Sequence, residues 1–320
     1  MPAFDLPLDE LRTYTGRNPR PDDHAAYWAD ALAELEAVDS DVRLEPVAHP
    51  SPLAECHDLS FTGVRGARVY AKYLRPRGAV APHPAVVVFH GYSAASPAWF
   101  SLLPYLAQGW SVVALDVRGQ GGRSDDAGTP HGTTLSGHIV RGLDDDPRNL
   151  AFRAIYLDCV QVTRILMTLP EVDAARIGVT GASQGGGLTL ACAALEPRVA
   201  AAAPVYPFLS DFLRTWEMDL ATDAYEELRA YLRRSDPTHA RVEEIFRTLG
   251  YIDVAHLADR ITAPVLMGTG LMDTVCPPST QFAAYNRIRS PKEVVLYPDF
   301  EHETLPGHDD RVLSFFADRL

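Results

Sequence analysis

Residues 181–185 read Gly181-Ala182-Ser183-Gln184-Gly185, directly after the apolar run Ile177-Gly178-Val179-Thr180 and directly before a stretch of small residues. Glycine two positions before and two positions after a serine, between a strand and a helix, is the pattern of a nucleophile elbow. The turn is so tight that flanking side chains would collide, so those positions need glycine. It lifts the serine hydroxyl out at the carboxyl end of a strand, above a helix N-terminus. The competing reading is a phosphate-cradling loop. A Walker loop needs Lys-Ser or Lys-Thr after its last glycine, and Leu188-Thr189 follow here. A dinucleotide fingerprint belongs on the first strand of a sheet, whereas this segment comes late.

From residue 84 onward, apolar runs at 85–89, 111–115, 177–180, 199–205, 264–269 and 294–297 alternate with amphipathic segments. Strands buried on both faces read this way, and the alternation predicts a parallel sheet between helices. Helices are expected at 101–108, 152–168, 184–195, 280–288 and 311–320. Ahead of this core, 20–38 carries Tyr27, Trp28, Leu32 and Leu35 at helical spacing. The segments 56–62 and 68–74 read as an antiparallel hairpin at a sheet edge, turning at 63–66. The interval 207–261 is too long for a plain connection and has helical patterns at 224–233 and 241–249. It is expected to be a helical insertion that either roofs the site or serves packing and subunit contact. The prediction is one doubly wound α/β domain over 1–320 with the α/β-hydrolase fold, its N-terminal helix and hairpin falling within 1–83.

Charge narrows the partners. A formal net charge of -13 disfavours nucleic acid and anionic membrane, both of which need clustered Lys and Arg. Hydrophobic residues at 47% and charged residues at 22% are ordinary for a soluble enzyme and exclude disorder and collagen-like repeats. Cys56, Cys159, Cys192 and Cys276 are dispersed with no Cys-x-x-Cys pair, so reduced thiols are expected. The opening Met-Pro-Ala-Phe-Asp lacks the basic and apolar regions of a secretory signal, and no window resembles a membrane span, which reads as cytoplasmic.

A serine hydroxyl needs a histidine to take its proton and a carboxylate to orient that histidine. In this fold the chain order is serine, acid, histidine. Asp273, after the run ending near Thr269, fits the acid; His302, after the last strand, fits the base. Asp299 reads as a turn residue and His308 as an exposed side chain near the last helix. The tetrahedral oxyanion needs two donors, and the backbone N–H groups of Gln184 and Tyr92 are placed to supply them. Arg118-Gly119-Gln120 follows a strand end, where a long cation needs a partner, so these residues are expected to support the site structurally. No His-Glu-x-x-His and no plausible zinc cluster occurs.

With Arg118-Gly119-Gln120, the segment 177–187, Leu257-Ala258-Asp259-Arg260-Ile261, Pro277-Pro278-Ser279-Thr280, Phe282-Ala283-Ala284-Tyr285-Asn286 and His302-Glu303, nearly the whole chain resembles the acetyl xylan esterase and cephalosporin-C deacetylase family, carbohydrate esterase family 7. The resemblance implies deacetylation of small O-acetylated molecules such as acetylated xylo-oligosaccharides and cephalosporins, without a cofactor. It implies Ser183, Asp273 and His302 as triad, Tyr92 and Gln184 as oxyanion hole, and a ring-like homohexamer. The chain departs from the family at Glu301, where glycine usually precedes the histidine, and in 93–100 and 121–123. Two other readings use the same residues: a prolyl-oligopeptidase-like peptidase, which normally carries a large N-terminal propeller, and a noncatalytic binding protein on a hydrolase fold.

Overall fold

The apolar runs form six strands of a nine-stranded sheet of order β1-β2-β3-β5-β4-β6-β7-β8-β9, five of them inner and the run at 294–297 at one edge. The structure is a computed structural model that describes residues 4–79, 82–127, 138–219 and 223–320. The strands are β1 (Arg43–Val47), β2 (Ala54–Thr62), β3 (Arg68–Pro76), β4 (His83–Phe89), β5 (Ser111–Leu115), β6 (Val172–Ala182), β7 (Ala201–Val205), β8 (Val265–Gly270) and β9 (Lys292–Tyr297). Pairing is parallel from β5 through β4, β6, β7 and β8 to β9, and antiparallel among β1, β2, β3 and β5. This is the mostly parallel α/β-hydrolase arrangement expected from the sequence.

The helices are α1 (Leu8–Leu11), α2 (His24–Glu36), α3 (Trp99–Ala107), α4 (Ala151–Thr168), α5 (Gln184–Leu195), α6 (Phe212–Glu217), α7 (Glu226–Ser235), α8 (Val242–Leu249), α9 (Pro278–Arg287) and α10 (His308–Ala317). Successive strand residues point to opposite faces, and the two faces have different cores. Val87 and Val113 join α2, α4 and α5 in the main core. Val86 packs with Phe315 and Phe316 of α10, and Val112 with Leu102 and Leu106 of α3. Helix α5 is buried along its whole length. Its glycines allow that: a Cβ on Gly186 would meet the Val205 carbonyl at 2.7 Å.

Three expectations change. The hairpin is not the sheet edge, because β1 pairs outside β2; its Pro46 is tolerable on an edge strand and hid it from a strand pattern. The insertion gains α6 beside α7 and α8. His308 is 1% exposed rather than solvated: its ring fits against Gly268, where a Cβ would sit 2.5 Å from Nε2. All four cysteines are buried free thiols, as expected. Among the described residues no helix is long and apolar enough to cross a membrane.

Candidate active site

Strand β6 runs into α5 through Ser183, whose φ of 58° and ψ of -120° put a non-glycine residue in strained backbone. Three backbone hydrogen bonds hold it there. The Ser183 N–H donates to Val205 O at 3.0 Å, while its carbonyl accepts from Gly187 N at 3.1 Å and Phe208 N at 2.9 Å. The flanking glycines are required by close approach: a Cβ on Gly181 would sit 2.5 Å from Phe89 O, and one on Gly185 2.2 Å from the same atom.

Asp273 follows β8 and is fully buried. One carboxylate oxygen accepts from Val275 N at 2.9 Å and Cys276 N at 2.7 Å; the other pairs with His302 Nδ1 at 2.8 Å. His302, in the loop after β9, remains half-buried, with its ring centroid 4.6 Å from that of Tyr206. Tyr206 adopts φ 31° to reach it, held by a bond from its N–H to Gly268 O at 2.7 Å. The Cys276 thiol, pushed up by burial, lies beside the Ser183 side chain. Its Sγ lies within 4.8 Å of the ligating atoms of Asp273 and His302, so serine, acid and base converge at one end of the sheet. Asp299 is an exposed turn residue and stands apart from this cluster, as does His308.

Tyr92 lies just past β4 and Gln184 opens α5. The N–H at the first position of a helix has no partner within the helix, and among the described residues neither backbone N–H has an acceptor. Gln120 ties the two together: its Nε2 donates to Gln184 Oε1 at 2.7 Å, and its Oε1 accepts from Gln184 Nε2 at 3.0 Å and from Ser93 N at 2.9 Å. Gly119 has φ 68° in the turn that delivers Gln120. Arg118 makes a buried two-pronged pair with Asp158 of α4, Nε to Oδ2 at 2.6 Å and Nη2 to Oδ1 at 2.5 Å. Burial raises the Asp158 pKa, with Arg118 pulling the other way.

Two rings after β7 stand beside these residues, Tyr206 against His302 and Phe208 with its centroid 5.4 Å from that of Tyr92. Sequence reasoning missed Cys276 and Glu227 in this neighbourhood, since neither sits in a motif and Glu227 meets Tyr92 across 135 positions. Among the described residues, Asp273, Cys276 and His302 form the one group of potential metal ligands within reach of one another. The Asp273–His302 hydrogen bond already engages two of the three, so a cation there would compete with it.

Comparison with known proteins supports this geometry with a lineage. The chain matches the acetyl xylan esterase (AXE1) family over residues 1–319. Its fold superposes on acetyl xylan esterase 1 from Thermoanaerobacterium sp. JW/SL YS485 with a TM-score of 0.97, at 54% identity over 98% of this chain and 99% of that one. The acetyl xylan esterase from Paenibacillus sp. R4 gives 0.95 at 37% identity, covering 98% and 100%. Acetyl esterase Axe7A of Xylanibacter ruminicola is 30% identical over 302 residues, 92% of this chain; the chain spans 65% of that protein's length. The chain belongs to the acetyl xylan esterase family.

Proposed function

We propose that the protein is a serine esterase that removes acetyl groups from small O-acetylated substrates through an acetyl-Ser183 intermediate. The observation that carries this reading is the strained Ser183 elbow beside the Asp273–His302 pair, in a chain of this family. With Nδ1 turned to Asp273, Nε2 of His302 is the nitrogen left to take the Ser183 proton. Ser183 Oγ attacks the acetyl carbonyl, and the oxyanion is received by the N–H groups of Tyr92 and Gln184. His302 then protonates the departing alkoxide oxygen. Water, deprotonated by His302, attacks the acetyl-enzyme and releases acetate, and His302 returns the proton to Ser183. Arg118, Gly119 and Gln120 position the donors without touching substrate. Tyr206 and Phe208 bound a small acyl pocket that favours acetyl over longer chains.

The test is hydrolysis of p-nitrophenyl esters from acetate to octanoate, with acetate release from acetylated xylo-oligosaccharide and cephalosporin C alongside. Acetate is expected to be the best acyl group, and Ser183→Ala to lower kcat about 10^6-fold. Preference for octanoate would overturn the acetyl reading and leave the triad standing; full activity in Ser183→Ala would overturn both. A homohexamer, implied by the family resemblance, is the proposed assembly, and the cytoplasm is the proposed compartment. Sizing at the mass of one 35.1 kDa subunit would remove the hexamer.

A further inference from the structure

Glu227, in the first turn of α7, is a carboxylate at 3% exposure with no ion-pair partner among the described residues. Burying such a group is costly unless donors surround it. Here the donors come from two loops. The Tyr92 hydroxyl donates to Glu227 Oε1, and Val140 N donates to Oε2 at 3.3 Å. The same Tyr92 oxygen accepts from His138 N at 2.5 Å, and the Tyr92 and His138 rings meet edge to face at 6.3 Å. Burial pushes the Glu227 carboxyl up to about 7, opposed by the Tyr92 hydroxyl and the backbone N–H groups.

One end of Tyr92 is therefore fixed to the helical insertion, and the other end carries the backbone N–H assigned to the oxyanion hole. A Cβ on Gly91 would meet nothing within 4 Å among the described residues, so side-chain packing does not hold that residue and the loop depends on hydrogen bonds, among them Ala94 N to Gly91 O at 3.2 Å. The next residue, Ser93, has φ 57° and is held by Gln120 through its N–H. Tyr92 thus lies between two clamps, Gln120 on the amide that follows and Glu227 on the phenol.

We propose that Glu227 is a positioning residue for the reaction, holding the Tyr92 N–H in line with the oxyanion through the Tyr92 side chain. The proposal rests on the serine esterase reading above. An oxyanion donor acts only when held in place before the charge develops, so loosening the tether lowers transition-state binding and spares substrate binding. The insertion over 207–261 gains a role in catalysis by this route, because α7 supplies the carboxylate.

Tyr92→Phe removes the hydroxyl while keeping the ring and the backbone N–H, and Glu227→Ala removes the acceptor. Both variants and their double are assayed on p-nitrophenyl acetate, with rates divided by active sites counted by fluorophosphonate titration. A trifluoromethyl ketone, whose hemiketal oxygen occupies the oxyanion hole, reports donor alignment through its Ki. Each single variant is expected to lose about tenfold in kcat per titrated site with KM within about twofold, and Ki is expected to rise by a similar factor. The double variant is expected to be no worse than the poorer single one, since both break one tether. Unchanged kcat per site, a Ki that stays put while kcat falls, or multiplicative losses in the double variant would each overturn the proposal. If Glu227→Ala does not fold, Tyr92→Phe decides alone by the same kcat and Ki criteria. Failure of the esterase reading would show separately, as activity surviving in Ser183→Ala.

Discussion

Ser183 and Tyr92 lie at the carboxyl ends of neighbouring strands, β6 and β4, yet the chain holds them by different means. Around Ser183 the fixing is steric and main-chain: glycines at 181 and 185 let the backbone pass within contact of Phe89 O, and main-chain hydrogen bonds stabilise the strained φ. Around Tyr92 it is done by side chains from elsewhere, Gln120 from the loop after β5 and Glu227 from α7. A backbone-built site is decided by local sequence, whereas a side-chain-built one needs the assembled fold. Failure should differ accordingly: changes near the elbow abolish the site, and changes near the loop detune it.

The largest effect expected after Ser183→Ala is at Asp273, which orients His302 in the proposed mechanism. Asp273→Asn keeps the shape but favours the wrong imidazole tautomer, and kcat is expected to fall about 10^4-fold with little change in thermal unfolding. A drop of less than about tenfold would remove Asp273 from the triad. Arg118→Ala tests the loop side: it strands Asp158 in the core, and urea unfolding is expected to register a loss of about 3–5 kcal/mol. The backbone side is tested by Gly185→Ala, whose Cβ would press on Phe89 O at 2.2 Å. A loss of about 3 kcal/mol together with inactivation is expected; an active, stable variant would break the contrast between the halves.

The smallest predicted effect concerns pH. The carboxyl of Glu227 is raised by burial from 4.5 to about 7 in the folded chain. The folded state therefore binds that proton more tightly than the unfolded state, and the stability this contributes is present below about pH 4.5 and lost as pH rises through 7. The Tyr92 hydroxyl and the backbone N–H groups of His138, Ile139 and Val140 face the same carboxylate but are present in wild type and variant alike. Glu227→Gln cannot ionise, so between pH 5 and 7 it should gain about 2 kcal/mol relative to wild type in urea unfolding. Parallel pH dependences would show that folding does not raise the Glu227 carboxyl.

Much of this was legible before the fold was seen. The elbow, the acid and the base each sit in a local pattern, and their chain order is fixed by the topology of the fold. His308 was misread because its flanking Gly307 and Asp309-Asp310 look like surface, while the space that buries its ring is made by Gly268 on another strand. Strand β1 was missed because Arg43–Val47 is exposed almost throughout and contains a proline, leaving no apolar alternation to read. Cys276 gave no signal as a neighbour of Ser183, from which it is separated by β7 and the whole insertion.

The sequence by itself determined the elements that depend on short-range chemistry: apolar strands, the glycine-flanked serine, and the placement of Asp273 and His302 after β8 and β9. Only the tertiary structure decided which distant side chains complete the site, as Glu227 closes on Tyr92, Gln120 on Gln184 and Tyr206 on His302. The physical reason is range. Backbone sterics and strand periodicity act over a few residues, whereas a buried carboxylate or amide finds its donors wherever packing brings them, and packing is a property of the whole chain.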